Sequence, residues 1–160
     1  MAMSSVSVAE ANIATFRRAI EEGWNKGNLE AIDELFVPDF VEHQVGIGPG
    51  RDAVKGSIRS LRIAFPDLHL TFEDVVAEGD MVWARLSGAG THEGPFMGLP
   101  GTGRRMRVDV IDIVRVADGR LVEHWGVADR LSVAQQIGLV PGGSRENPPR
   151  RSPEISPRSG

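Results

Sequence analysis

Ile13, Phe16, Ile20 and Trp24 follow one another at steps of three, four and four. That is the apolar stripe of an amphipathic helix, and it predicts one over about 8–26. Gly27 and Asn28 stop it, and Leu29, Ile32 and Phe36 mark a short second helix. Pro38 interrupts that segment and leads into "DFVEHQ". A glycine-rich loop, "GIGPG" at 46–50, precedes a third helix from about Arg51, with Val54, Ile58, Leu61 and Phe65 as its stripe and Pro66 as its stop. The period then changes. Leu68, Leu70 and Phe72 alternate with His69 and Thr71, which reads as a strand with His69 facing solvent. "EGD" at 78–80 is a turn, 81–89 is extended, and the Gly- and Pro-rich run after it is a long irregular connection of the kind that often carries function. Strands follow over 105–116 and 121–129, and "LSVAQQIGL" adds a helical turn or two. Helices first and a meander of strands afterwards predict an α+β fold, with an antiparallel sheet carrying its helices on one face.

The longest strand singles out one residue. Alternation puts Met106, Val108, Val110, Asp112, Val114 and Val116 on a single face, the better candidate for the interior. Asp112 is the only polar member. A carboxylate among apolar neighbours is costly unless it is paired or its pKa rises, so Asp112 is either a general acid/base or a structural acid bonded to an amide or an arginine. The turn at 117–119 decides its partner. A three-residue loop places His124 across from Asp112, and a two-residue loop, Asp118-Gly119, places Trp125 there. A carboxylate beside a histidine fixes the tautomer or stabilises the imidazolium, and either suits proton transfer. Asp129 is the second candidate acid. His43 and His92 could line the mouth of one pocket, and Trp24, Trp83, Trp125, Phe96 and Met97 could wall it or simply fill the core.

Composition narrows the classes. The 160 residues are 41% hydrophobic and 25% charged, the profile of a single domain with a core of its own. With no cysteine there is no disulfide framework and no zinc–cysteine site. No apolar run approaches the ~20 residues of a membrane span, no secretory signal is recognisable, and the cytoplasm is the expected compartment. The net charge is −4; residues 141–160 hold four Arg and two Glu, leaving 14 basic and 20 acidic residues, a net of −6, for 1–140. An acidic body repels a phosphate backbone, so no nucleic-acid partner is expected. The expected organisation is a flexible start over 1–7, one domain over 8–140, and a disordered Pro-, Ser- and Arg-rich tail over 141–160. Zinc-hydrolase, phosphate-loop, dinucleotide and serine-elbow motifs are absent from the sequence. Neither a metal nor a cofactor is expected, which leaves cofactor-free chemistry in an apolar pocket as the enzyme reading.

Three stretches, "PDFVEH" at 38–43, the run over 65–106, and "IDIVRVADGRLVEHWGVADRLSVAQQIGL" at 111–139, together resemble the SnoaL-like polyketide cyclases, often labelled ester cyclases, of the nuclear-transport-factor-2 (cystatin-like) group. The resemblance spans about 8–140. It implies a cone-shaped α+β barrel, with the N-terminal helices in the concave face of a curved sheet around a deep apolar pocket. It further implies cofactor-free intramolecular aldol chemistry on a small, largely apolar carbonyl compound, with an aspartate as acid/base and a histidine nearby. "DI" at 112–113 and "EHW" at 123–125 match the family's hairpin, which ranks Asp112 before Asp129. The same fold also hosts non-catalytic ligand binders, structural dimers and other lyases and hydrolases. Ile111 and Ile113, on the outer face of the sheet, would suit a homodimer or homotetramer.

Overall fold

In the computed structural model, which describes residues 7–142, Ser7 opens the first helix, α1 (Val8–Ala19). Its hydroxyl accepts the Glu10 amide at 3.2 Å, and the Glu10 carboxylate accepts the Ser7 amide at 2.8 Å, a reciprocal capping box. The stripe runs on to Asn25 as predicted, but its last turn, Ile20–Asn25, is π-helical. That turn is held at its end by Arg62, which donates to the carbonyls of Trp24 and Asn25 at 2.8 and 2.9 Å. The Asn25 carboxamide pairs with the backbone of Leu70 through bonds of 3.0 and 2.8 Å, stitching the helix to the sheet. Helix α2 (Leu29–Leu35) is capped by Asn28, and α3 (Arg51–Ala64) begins after Gly50.

The strands are β1 (Phe36–Glu42), β2 (His69–Glu78), β3 (Met81–Thr91), β4 (Arg105–Ala117) and β5 (Arg120–Ala128), followed by α4 (Arg130–Ile137). They form one curved, open sheet in the order β1-β5-β4-β3-β2. The helices lie on its concave side, the cone-shaped α+β arrangement. The meander β2 to β5 is antiparallel, as expected. The sequence reading missed β1, which runs parallel to β5 and makes the sheet mixed. Pro38 had suggested a break there. An edge strand tolerates proline because one row of its amides has no ladder partner to lose.

The inward face of β4 is the one read from its alternation. Met106, Asp112, Val114 and Val116 are buried, and Val82, Ala84 and Leu86 of β3 lie beside them. Phe16, Ile20, Ile32, Val54 and Ile58 close the core from the helical side and Phe36 and Phe40 from β1, and Ala64, Phe65, Leu68, Met106, Val133 and Ile137 form a second cluster at α4. Gly88 lies in register between Leu70 and Val108. A Cβ there would stand 2.7 and 2.8 Å from those two side chains, so a bare position lets them meet across the strand. Apart from residues 7, 141 and 142, the flexible start and the disordered tail expected from composition fall outside the described residues.

Phe40 pins the added strand. It is buried and stacks edge-on against Phe36 at 4.8 Å. Phe40→Ala is expected to cost about 3–5 kcal/mol, read as a drop in ΔG of unfolding in urea, with β1 the first element to lose amide-exchange protection.

Candidate functional site

The β4–β5 connection is a two-residue turn in which Asp118 and Gly119 both have positive φ (49° and 72°), the geometry that matches the twist of a hairpin. Ala117 pairs with Arg120 and Val116 with Leu121, but Arg115 then pairs with Glu123. Val122 is therefore an extra residue, a β-bulge, and the register beyond it is neither of the two anticipated. Asp112 lies opposite Gly126, Ile113 opposite Trp125 and Val114 opposite His124. On its other side Asp112 pairs with Ala84. The acid thus stands between two small neighbours.

Gly126 nevertheless brings the histidine to the acid. His124 leans along the strand into the space above Gly126, and its Nε2 lies 3.1 Å from Asp112 Oδ1. A Cβ on residue 126 would be 2.6 Å from His124 Cε1 and 2.8 Å from Nε2, and closer still to Gln44 Oε1. From the other side β1 delivers Glu42, whose register partner is His124; Nδ1 lies 2.8 Å from Glu42 Oε1. That same oxygen accepts the Gln44 amide at 2.8 Å.

Both ring nitrogens of His124 thus face carboxylate oxygens, and only the imidazolium can donate to both. Burial by itself would push the imidazole towards neutrality. The hydrogen bonds and charges of Asp112 and Glu42 outweigh it and raise the pKa to about 9. At neutral pH one buried cation is shared by two buried acids. Because the carboxylates bind opposite edges of one ring, they do not converge on a common point. Among the described residues no group of three His, Asp or Glu is placed to hold a metal ion.

These groups open onto a cavity of about 490 Å³, within the usual range for small-molecule sites. Phe16, Trp24, Phe36, Phe40, Phe65 and Phe96 supply aromatic walls, and Glu42, Gln44, Asp112, His124 and Arg130 supply polarity. Of the residues chosen from the sequence, Asp112, His124, Trp24, Phe96 and Met97 line it. The others are corrected as follows. Asp129 is the exposed N-cap of α4, its carboxylate accepting the Ser132 amide at 2.9 Å outside the cavity lining. His43 and Trp125 stack on each other at 4.9 Å away from the cavity, where His43 Nε2 meets Glu123 at 2.9 Å. Trp83, in register with Ile113 and half exposed, belongs to the same outer face. His92 is fully buried behind Phe65 and Phe96, with Nδ1 against Thr102 Oγ1 at 3.0 Å, and its carbonyl accepts the amides of Thr102 and Gly103. It closes the neck of the β3–β4 loop and does not line the cavity.

Glu42, Gln44 and Arg130 were missed. For Glu42 a signal existed. Phe36, Phe40 and Glu42 share parity on β1, so a strand reading would have turned Glu42 inward with the two buried aromatics and His43 outward.

The chain is similar to several known proteins. A model of the SnoaL-like polyketide cyclase family matches residues 14–137. The aklanonic acid methyl ester cyclase DauD of Streptomyces sp. strain C5 is 30% identical over 141 residues, covering 82% of this chain and 87% of the relative. The nogalonic acid methyl ester cyclase of Streptomyces nogalater is 29% identical over 122 residues, covering 72% and 89%. Among solved structures, TsrD from Streptomyces laurentii superposes with a TM-score of 0.76 at 29% identity, over 84% of this chain and all of that one.

The charge on His124 carries a testable sign. Its folded pKa lies above the unfolded value of 6.5, so the stabilisation is complete below about 6.5 and is lost as pH rises through about 9. Melting temperature is expected to fall across that window. In Gly126→Ala, where the ring is forced off Asp112, the His124 midpoint followed by NMR is expected to drop by about one unit or more and the alkaline loss of stability to begin earlier.

Proposed function

The chain belongs to the SnoaL-like polyketide cyclase family, and from that premise we propose that it is a cofactor-independent cyclase working in the cytoplasm by aldol-type acid/base chemistry on a small, largely apolar carbonyl compound. One observation carries the reading: a buried carboxylate, Asp112, faces an aromatic-walled cavity while bonded to a histidine that two acids keep charged.

In the reaction the Asp112 carboxylate takes a proton from a carbon flanked by two carbonyl groups. The enolate carbon attacks a ketone of the same molecule, a carbon–carbon bond forms, and the ketone oxygen becomes an alkoxide. The His124 imidazolium protonates that alkoxide. The acid now on Asp112 returns its proton across the 3.1 Å contact, so the pair ends as it began and the product is an isomer of the substrate. Glu42 holds the ring through Nδ1 throughout. The aromatic walls fold a flexible substrate towards its reactive conformer, and orientation of this kind can contribute roughly 7–11 kcal/mol. An activated methylene is already acidic, so one placed carboxylate suffices as base.

The outer face of the sheet supports self-association as well. Val76, Trp83, Ile113 and Trp125 form one row in register across four strands, and Ile111 and Val127 pair in the next. Val76, Trp83, Ile111 and Val127 are all at least 47% exposed. A contiguous apolar strip of this kind suits a second copy of the chain, as a homodimer or within a homotetramer.

Two measurements test these proposals. With aklanonic or nogalonic acid methyl ester as trial substrates, purified protein is expected to yield ring-closed isomers detectable by chromatography. Asp112→Asn should fold normally and lose roughly 10²–10⁴-fold in turnover; full activity in that variant removes the assignment. In sedimentation equilibrium the protein is expected as a dimer or larger and Trp83→Glu as a monomer, and a wild-type protein that sediments only as monomer removes the interface.

A further inference from the structure

The catalytic reading leaves one charged group of the cavity without a task. Arg130 is the only lysine or arginine among the lining residues. It is exposed, and its guanidinium has no hydrogen-bond or ion-pair partner among the described residues, so it is open to a ligand. Its position does not serve the helix that bears it. It is the first residue of α4, after the Asp129 cap, where the macrodipole disfavours a cation.

The end of its side chain lies against the loop opposite. Gly46 has φ +90°, and a Cβ there would stand 2.6 Å from Arg130 Nη1. Two residues earlier on the same loop, the Gln44 side chain lies over Gly126, beside the space that His124 enters. The segment 44–46 therefore spans from the imidazolium to the guanidinium, and the two cations look into one cavity.

This second cation has a distinct role. Both edges of the His124 ring are taken up by Glu42 and Asp112, so Arg130 is the cation of this wall left open to an anionic ligand. A guanidinium also presents a planar fork that two oxygens can occupy together, which matches a carboxylate or the paired oxygens of a 1,3-dicarbonyl enolate.

We propose that Arg130 is a specificity-determining residue that clamps such a two-oxygen anionic group of the ligand and so selects carboxylate-bearing aromatic compounds over neutral ones of the same shape. The proposal rests on the cavity being the substrate site. It is separable from the acid/base assignment, because it concerns binding alone and needs no turnover.

The test is calorimetric titration with two flat three-ring probes, anthraquinone-2-carboxylate and neutral 2-(hydroxymethyl)anthraquinone. The wild-type protein is expected to bind the carboxylate about tenfold or more tightly than the alcohol, the scale of one charge-assisted contact, with the difference narrowing as salt is added. Arg130→Gln should abolish the preference while changing the affinity for the alcohol by less than about twofold, and Arg130→Lys should keep part of it. Equal binding of the two probes by the wild type overturns the clamp, as does an Arg130→Gln variant that weakens both alike. If neither probe binds the wild type, the substrate cavity itself is wrong and the clamp falls with it.

Discussion

An imidazole held between two carboxylates inside a protein cannot be assembled piecemeal. Each charge taken from water alone costs several kcal/mol, and the mutual attraction offsets this only if all three groups arrive in good geometry. Here Asp112 comes from β4, His124 from β5 and Glu42 from β1, and the contacts of 2.8 and 3.1 Å tie three neighbouring strands together. The rest of the sheet is arranged around this requirement. The parallel edge strand exists in register with β5 where Glu42 meets His124, the bulge at Val122 sets which β5 residue faces inward, and Gly126 clears the space through which the ring reaches its second acid.

The cavity and the charged cluster depend on each other. Aromatic side chains keep the dielectric low, which strengthens the contacts among the three groups and would be intolerable for any one of them unpaired. In return, the cluster gives a largely apolar chamber one polar wall against which a ligand can be oriented. On the sheet Asp112 has only Ala84 and Gly126 beside it in register, two residues with little or no side chain.

Sequence periodicity located Asp112 because β4 is long and alternates cleanly, so a single acid on an apolar face stands out. The helices were legible for the same reason. Glu42 lies on a short strand with Pro38 inside it, and a proline within so few residues reads as a break and hides the alternation that turns Glu42 inward. The contact between Asp112 and His124 was anticipated from a direct pairing that does not exist; it arises diagonally, through a bulge and a glycine, and neither leaves a signature in a turn of the form Ala-Asp-Gly. Trp83 and Trp125 misled in the opposite direction. Large aromatic residues suggest a pocket wall or the core, while strand parity places both on the convex side with the ion pairs of Arg115, Asp80 and Glu123. Asp129 shows that an acid at the end of a strand is also an acid at the start of a helix, and here the cap decides its role.

The parallel pairing of β1 with β5 has a consequence for biosynthesis. Glu42 and His124 are 82 residues apart in the chain, and contacts of such separation close late because the entropy of the intervening loop must be overcome first. A ribosome therefore releases Glu42 long before its partner is synthesised. Until the last hairpin docks, the acid stays hydrated and the chamber has no charged wall. The three-group cluster is complete only with the final strand, so a partly made chain carries the aromatic walls without the polar one.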